Sequence, residues 1–177
     1  MIDFISILNK LNVEYVIISG YVSILFGRSR SSEYVDIFVE TLEQKQFEAL
    51  WDKISTSFDC IITTNPDDAY ENYLKKDHAI RFARKGKVIP NIEIKFPKSD
   101  LEMWALENRK KVNLNGKILF ISILELQIPF KLFLGSEKDI EDGKYLYDLF
   151  KNYLDHKLLQ QFFQKLKTEH LFERYYT

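Results

Sequence analysis

"ISGYVSILFGRSRSSEYVDIFVE", residues 18–40, joins two apolar runs through a small-residue turn and a basic loop. Ser19-Gly20 punctuates a β-branched and aromatic run, Val13 to Ile18, with the composition of a buried strand. A short amphipathic helix through Val22, Leu25 and Phe26 is expected to close at Gly27, and a polar basic loop, Arg28 to Ser32, leads to a second strand, Val35 to Val39. Alternation along this strand puts Tyr34 and Asp36 on one face and Glu33 on the other, with Glu40 past its end. A small-residue turn ahead of a helix offers backbone N–H groups to a phosphate, and a carboxylate on the next strand suits a divalent cation. Ser19 and Gly20 are therefore candidate phosphate contacts, Asp36 a candidate metal ligand, and Arg28 and Arg30 candidate partners for phosphate charge. Each piece taken singly also has a plain structural explanation, as a turn glycine or a solvated strand acid.

The rest of the chain surrounds this stretch with regular elements. Upstream, Phe4, Ile7, Leu8 and Leu11 follow helical spacing. Downstream, Thr41 with Gln44 forms a capping-box pattern for a helix whose Phe47, Leu50, Trp51 and Ile54 share one face. Asn65-Pro66 predicts a helix start. Two strands are expected around Lys85-Gly86, the second carrying Glu93, an acid placed to join Asp36 in a metal cage. After Pro97, Ser99 with Glu102 caps a short helix, "KVNLNGKILF" (111–120) predicts a hairpin turning at Asn115-Gly116, and Ser122 with Glu125 caps the next helix. Pro129 predicts an irregularity there, Gly135 a stop, and three further helices complete the chain. The expectation is an α+β fold: an α/β core over 1–97, a short helix and hairpin excursion over 98–121, and a C-terminal helical part over 122–177 across the cleft.

Composition bounds the function. The 177 residues are 46% apolar, enough for one substantial core, and the charged residues nearly cancel to a net charge of −1, which gives no reason for strong non-specific attraction to nucleic acid. The lone Cys60 has no internal disulfide partner, His78, His156 and His170 lack zinc-site spacing, and neither a leader-like apolar run nor a bilayer-length apolar stretch is visible. The expectation is a cytoplasmic protein with no membrane partner.

Ile18-Ser19-Gly20, a spacer, and Tyr34-Val35-Asp36 together resemble the signature of the polymerase-beta type nucleotidyltransferase superfamily: an apolar residue, Gly, then Gly or Ser, and two acids flanking one apolar residue. "GRSRSSEYVDIFV" is similar to the form found in minimal and abortive-infection type members. Two departures stand out, Ser19 for the first Gly and Tyr34 for the first acid. Further on, "LELQIPFKLFLGSEKDIEDGKYL" looks like the family segment in which a Lys precedes an acidic box, here Lys131, then Lys138, Asp139 and Asp142.

The resemblance implies a nucleotidyltransferase-like mixed β-sheet flanked by helices, with a C-terminal helical subdomain. It implies transfer of a nucleoside monophosphate from a nucleoside triphosphate to a hydroxyl of a protein, RNA or small-molecule acceptor. Mg²⁺ or Mn²⁺ would be the cofactor, with Asp36 and Glu93 as ligands, Lys131 meeting phosphate, and Asp139 or Asp142 as a base or orienting acid. Two ions normally need three carboxylates, and Tyr34, neutral at pH 7, is a poor ligand in the vacant place. An alternative is a degenerate member that binds a nucleotide or a partner protein, as half of a toxin–antitoxin type pair. A third reading, RNA binding by the strands of "RFARKGK", competes with simple solvation of its charges.

Overall fold

A computed structural model of the protein describes residues 1–176. The strand signals assemble into one sheet. Its strands are β1 (Tyr15–Ile18), β2 (Tyr34–Val39), β3 (Phe58–Cys60), β4 (Ile80–Arg84), β5 (Asn91–Lys95), β6 (Lys110–Leu114) and β7 (Lys117–Ile121), in the order β3-β4-β5-β2-β1-β7-β6. The sheet is mixed, as expected: β2 runs parallel to β5 and β1 to β7, and the other neighbours are antiparallel.

Period-2 alternation in β2 and β5 divides the sheet into two chemically different faces. Val35, Ile37 and Val39 with Ile92 and Ile94 enter the main core, where they meet Phe4 and Leu8 of α1 (Ile2–Lys10). Val22 of α2 (Gly20–Leu25) and Phe47, Leu50, Trp51 and Ile54 of α3 (Gln44–Ile54) belong to the same cluster. Phe4 meets Phe58 edge to face at 5.3 Å, which fixes α1 over the β3 edge. On the opposite face Val16, Ile18 and Phe38 pack with Leu106 of α5 (Asp100–Glu107), leaving Tyr34 and Asp36 further along the same row. Between β3 and β4 in the chain, α4 (Pro66–Asp68) opens an irregular helical run, capped by the Asn65 side chain on the Asp67 and Asp68 amides. The C-terminal helices are α6 (Leu124–Leu134), α7 (Glu137–Phe150), α8 (His156–Leu166) and α9 (Glu169–Tyr175).

Several local expectations change. The hairpin does turn at Asn115-Gly116, both with positive φ, but it is no excursion: β7 pairs with β1 and extends the sheet by two strands. Thr41 does not cap α3. The helix starts later, so Glu43 occupies the N-cap and exchanges hydrogen bonds with Gln46. The Ser122–Glu125 box also fails to form, because the chain enters α6 through extended Ile123, while Glu125 instead accepts from the Asp155 amide at 3.0 Å. Pro129 lies inside α6, which continues to Gly135, whose left-handed φ of 73° ends it. The three-residue β3 gave no periodic signal long enough to read.

Gly143, inside α7, allows a close approach. A Cβ there would stand 1.9 Å from the Tyr176 hydroxyl and 3.0 Å from Lys131 Cβ. Helix propensity alone makes Gly→Ala favourable by about 1 kcal/mol in an open helix. Overpacking should reverse the sign here: Gly143→Ala is expected to lower stability by about 1–2 kcal/mol, read as a fall in the urea midpoint. A raised midpoint would show that Tyr176 yields without cost.

Candidate functional site

The turn between β1 and α2 is built in an unusual way. Ser19 has φ 63° and ψ −144°, a region that favours glycine, so its backbone is strained. Two contacts hold it: its carbonyl accepts from Gln127 Nε2 on α6 at 3.0 Å, and its side chain hydrogen-bonds Asp36. At Gly20 the Arg30 guanidinium crosses directly over the backbone, and a Cβ would meet Arg30 Nη2 at 1.9 Å. Glycine is required there by a neighbouring side chain rather than by φ.

The parallel pairing of β2 and β5 sets Asp36 opposite Glu93 and Tyr34 opposite Asn91, so both acids share a face and a level. Burial pushes the Asp36 carboxyl above the usual range and the Glu93 charge adds to it, against the Ser19 hydrogen bond and the positive charges of Lys95 and Lys131. Glu93 has a cation already: Arg81, opposite it on β4, donates to its carboxylate at 2.7 Å. The same guanidinium lies 5.8 Å from the centroid of the Tyr34 ring. Lys95, two residues beyond Glu93, sits 5.1 Å from the Phe38 ring centroid.

Across the cleft is a buried charge cluster. Asp142 has no solvent exposure and accepts from Arg28 Nε at 2.9 Å, from Arg30 Nε at 2.9 Å and from Arg30 Nη2 at 2.6 Å. Lys131 Nζ stands 3.2 Å from the same carboxylate and bonds Asp139, whose other oxygen takes the Ser136 hydroxyl at 2.5 Å. Arg28 also pairs with Glu141 at 2.6 Å. Burial would raise the Asp139 carboxyl, but the hydrogen bonds from Lys131 and Ser136 outweigh it and hold it below the usual range.

Between these walls lies an open cavity of about 520 Å³. Ser19, Gly20, Arg30, Tyr34, Asp36, Lys131, Lys138 and Asp139 border it together with Ser31, Ser32, Glu33, Leu134 and Ser136. Of the residues proposed from sequence, Arg28, Asp142 and Glu93 are not among those bordering it: Arg28 and Asp142 are joined to each other, and Glu93 stands opposite Asp36 on β5. Sequence reading missed Arg81, Lys95 and the Arg28–Arg30–Asp142 junction. The two-residue spacing of the arginines was visible, but an acid 112 residues away from Arg30 has no local signature. Among the described residues no group of three or more His, Cys, Asp or Glu is placed to hold a metal. The two acids, Asp36 and Glu93, the latter paired with Arg81, fall short of the three carboxylates that a two-ion cage needs.

No protein-family model matches the chain, and no curated protein matches it in sequence. Solved structures do match. An antigenic nucleotidyltransferase-like protein from Paracoccidioides brasiliensis aligns with a TM-score of 0.55 at 19% identity, over 96% of this chain and 86% of that one. The antibiotic-resistance factor ANT(2'')-Ia aligns with a TM-score of 0.56 at 10% identity over 97% and 91%. Its crystal structure in complex with adenylyl-2''-tobramycin gives 0.55 at 10% identity over 94% of each chain. JHP933 from Helicobacter pylori gives 0.51 at 15% identity over 98% and 76%. The protein thus has the nucleotidyltransferase-like fold, an α+β architecture with a mixed sheet. Among the described residues no helix is long and apolar enough to cross a membrane.

The lowered Asp139 pKa sets a sign for acid sensitivity. Stability from this carboxylate is fully present above its unfolded value near 4 and is lost as pH falls through the lower folded value. Asp139→Asn should therefore be less stable than the parent at pH 7, and the difference should shrink in urea melts taken toward pH 2–3. A difference that stays constant with pH would mean that ionised Asp139 contributes nothing.

Proposed function

We propose that the protein binds a nucleoside triphosphate in the cavity between Ser19 and Lys131. In this reading it transfers the nucleoside monophosphate to a hydroxyl of a protein, RNA or small-molecule acceptor, with Mg²⁺ or Mn²⁺ as cofactor. The observation that carries the reading is Asp36, in register with Glu93, bordering a cavity together with Arg30, Lys131 and Lys138. The fold likeness to ANT(2'')-Ia, seen with an adenylylated tobramycin, supports a small-molecule hydroxyl among the acceptors.

The roles follow from position. Ser19 and Gly20 bring backbone up to the phosphates, while Lys131 and Lys138 meet their charge. Arg30 is fixed by Asp142 in a bidentate pair, and Lys131 by Asp139 and Asp142, so these two acids act as positioning residues that keep the cations in place. Asp36, with Glu93 beside it, would hold a divalent ion, which when bound neutralises charge on the phosphates and polarises the one transferred. With one ion in place of two, transfer is expected to be slow. Binding without transfer, to a nucleotide or to a partner protein of the toxin–antitoxin kind, is the second reading, and two observations favour it: Tyr34 at the vacant acid position and the Arg81–Glu93 ion pair.

Calorimetric titration of ATP, GTP, CTP and UTP with and without Mg²⁺, beside a transfer assay with labelled triphosphate, separates the two. Asp36→Asn should weaken Mg²⁺-dependent binding and yet melt higher than the parent at pH 7. The raised folded pKa of Asp36 means that its ionised form opposes folding, so the parent, unlike the variant, should gain stability as pH falls through that pKa to the unfolded value near 4. Unchanged binding in the variant would remove Asp36 from the site.

Tyr34→Asp should place a second carboxylate beside Asp36, raise Mg²⁺ or Mn²⁺ affinity and increase transfer. Without metal it should be less stable than the parent, because the two acids repel, and metal should restore that loss. A variant that gains neither affinity nor rate would show that residue 34 is no ligand position.

A further inference from the structure

We propose that Tyr34 is itself an acceptor, so that the protein places a nucleoside monophosphate on its own Tyr34 hydroxyl; this rests on the transfer reading above. Tyr34 is the tyrosine among the residues bordering the cavity, where it stands with Ser19, Asp36 and Lys131. It is 43% exposed, and among the described residues its hydroxyl makes no hydrogen bond to the protein, so the oxygen is available to a ligand. The residue is nevertheless held. Its carbonyl accepts from the Ser32 hydroxyl at 2.8 Å, and the Arg81 guanidinium stands 5.8 Å from the ring centroid.

The pleat puts Tyr34 and Asp36 on one face of β2, two residues apart. An acid at position 34 would end close to the backbone and face an ion. The phenol is longer and borders the same cavity as Ser19 and Lys131, the residues proposed to meet the phosphates. Proximity of this kind converts a bimolecular reaction into an intramolecular one, so a weak nucleophile in the wall of the site competes well with dilute outside hydroxyls.

The step balances without a further reactant. Tyr34 Oη forms a bond to the α-phosphorus, and the bond from that phosphorus to the oxygen bridging to the β-phosphate breaks. Pyrophosphate leaves with the electron pair, and the phenolic proton passes to water in the open cavity. The product is a tyrosyl phosphodiester whose nucleoside remains tethered in the cavity. It shuts out the next triphosphate, so each chain reacts once and then stops.

The test is incubation of the full chain with α-labelled triphosphate and Mg²⁺, denaturation, tryptic digestion and fragmentation of the peptide covering residues 31–45. Expected are label that survives denaturation, pyrophosphate release that stops at one equivalent per chain, a modified Tyr34, and loss of the label in Tyr34→Phe. Modification of Ser31 or Ser32, or label persisting in Tyr34→Phe, overturns the proposal. Transfer to an added hydroxyl acceptor with Tyr34 left unmodified overturns it and leaves the proposed function standing. Label on no acceptor at all, the protein included, overturns both. Should Tyr34→Phe fold poorly, by its melting curve, the fragmentation of the parent peptide decides the question.

Discussion

One carboxylate organises the cleft. Asp142 is wholly enclosed, and an unpaired charge in such a place would be untenable; three cations, Arg28, Arg30 and Lys131, converge on it from the loop after α2 and from α6. That junction ties the segment between α2 and β2 to α6 and α7, and so sets the width of the cavity. Both glycines with no room for a Cβ flank it. Gly20 lies under the Arg30 guanidinium, and Gly143 lets Lys131 and the Tyr176 hydroxyl close in from the other side. Tyr176 is 4% exposed and its hydroxyl makes no hydrogen bond among the described residues, with burial and the charges of Asp142 and Asp139 holding its pKa well above the usual value. Tyr176 thus closes the charge cluster from behind, and the assembly holds Arg30 and the almost fully enclosed Lys131 in the cavity wall with little rotational freedom.

Much of this was legible in sequence, for reasons specific to each part. Val13 to Ile18 and Val35 to Val39 read as strands because their apolar runs are bounded by turn residues, and the face shared by Tyr34 and Asp36 follows from the period of two alone. Ser99 with Glu102 and Gly135 were readable as helix signals because the cap chemistry is local. The failures are of the opposite kind. Capping at Glu43 rather than Thr41 depended on where α3 could begin while keeping Phe47, Leu50, Trp51 and Ile54 on the sheet, which is a tertiary constraint. The seating of β7 beside β1 depends on pairing across a hundred residues, and a hairpin signal carries no information about its third neighbour. Within the site, Asp36 stood out from its motif position, whereas Arg81 became visible only through the antiparallel register that sets it against Glu93. Arg28 and Arg30 were read as partners for phosphate charge, and the buried acid that both of them pair with could be found only in three dimensions.

The charges bordering the cavity have a consequence for how an anion enters it. Arg30, Lys131 and Lys138 contribute three positive charges and Glu33, Asp36 and Asp139 three negative ones, a balance of 3 − 3 = 0, and the joined Arg28 and Asp142 outside this lining cancel each other. A pocket for bare phosphate would carry a positive surplus, and this one has none. The lining as a whole therefore adds little net Coulomb attraction for a highly charged anion, which must be held by the individual cations it touches. For a nucleoside triphosphate, the demand for an accompanying cation would then arise from the electroneutrality of the whole cavity as much as from the two acids that touch the ion. Raised salt, which screens a strongly positive pocket, would have little net field to screen.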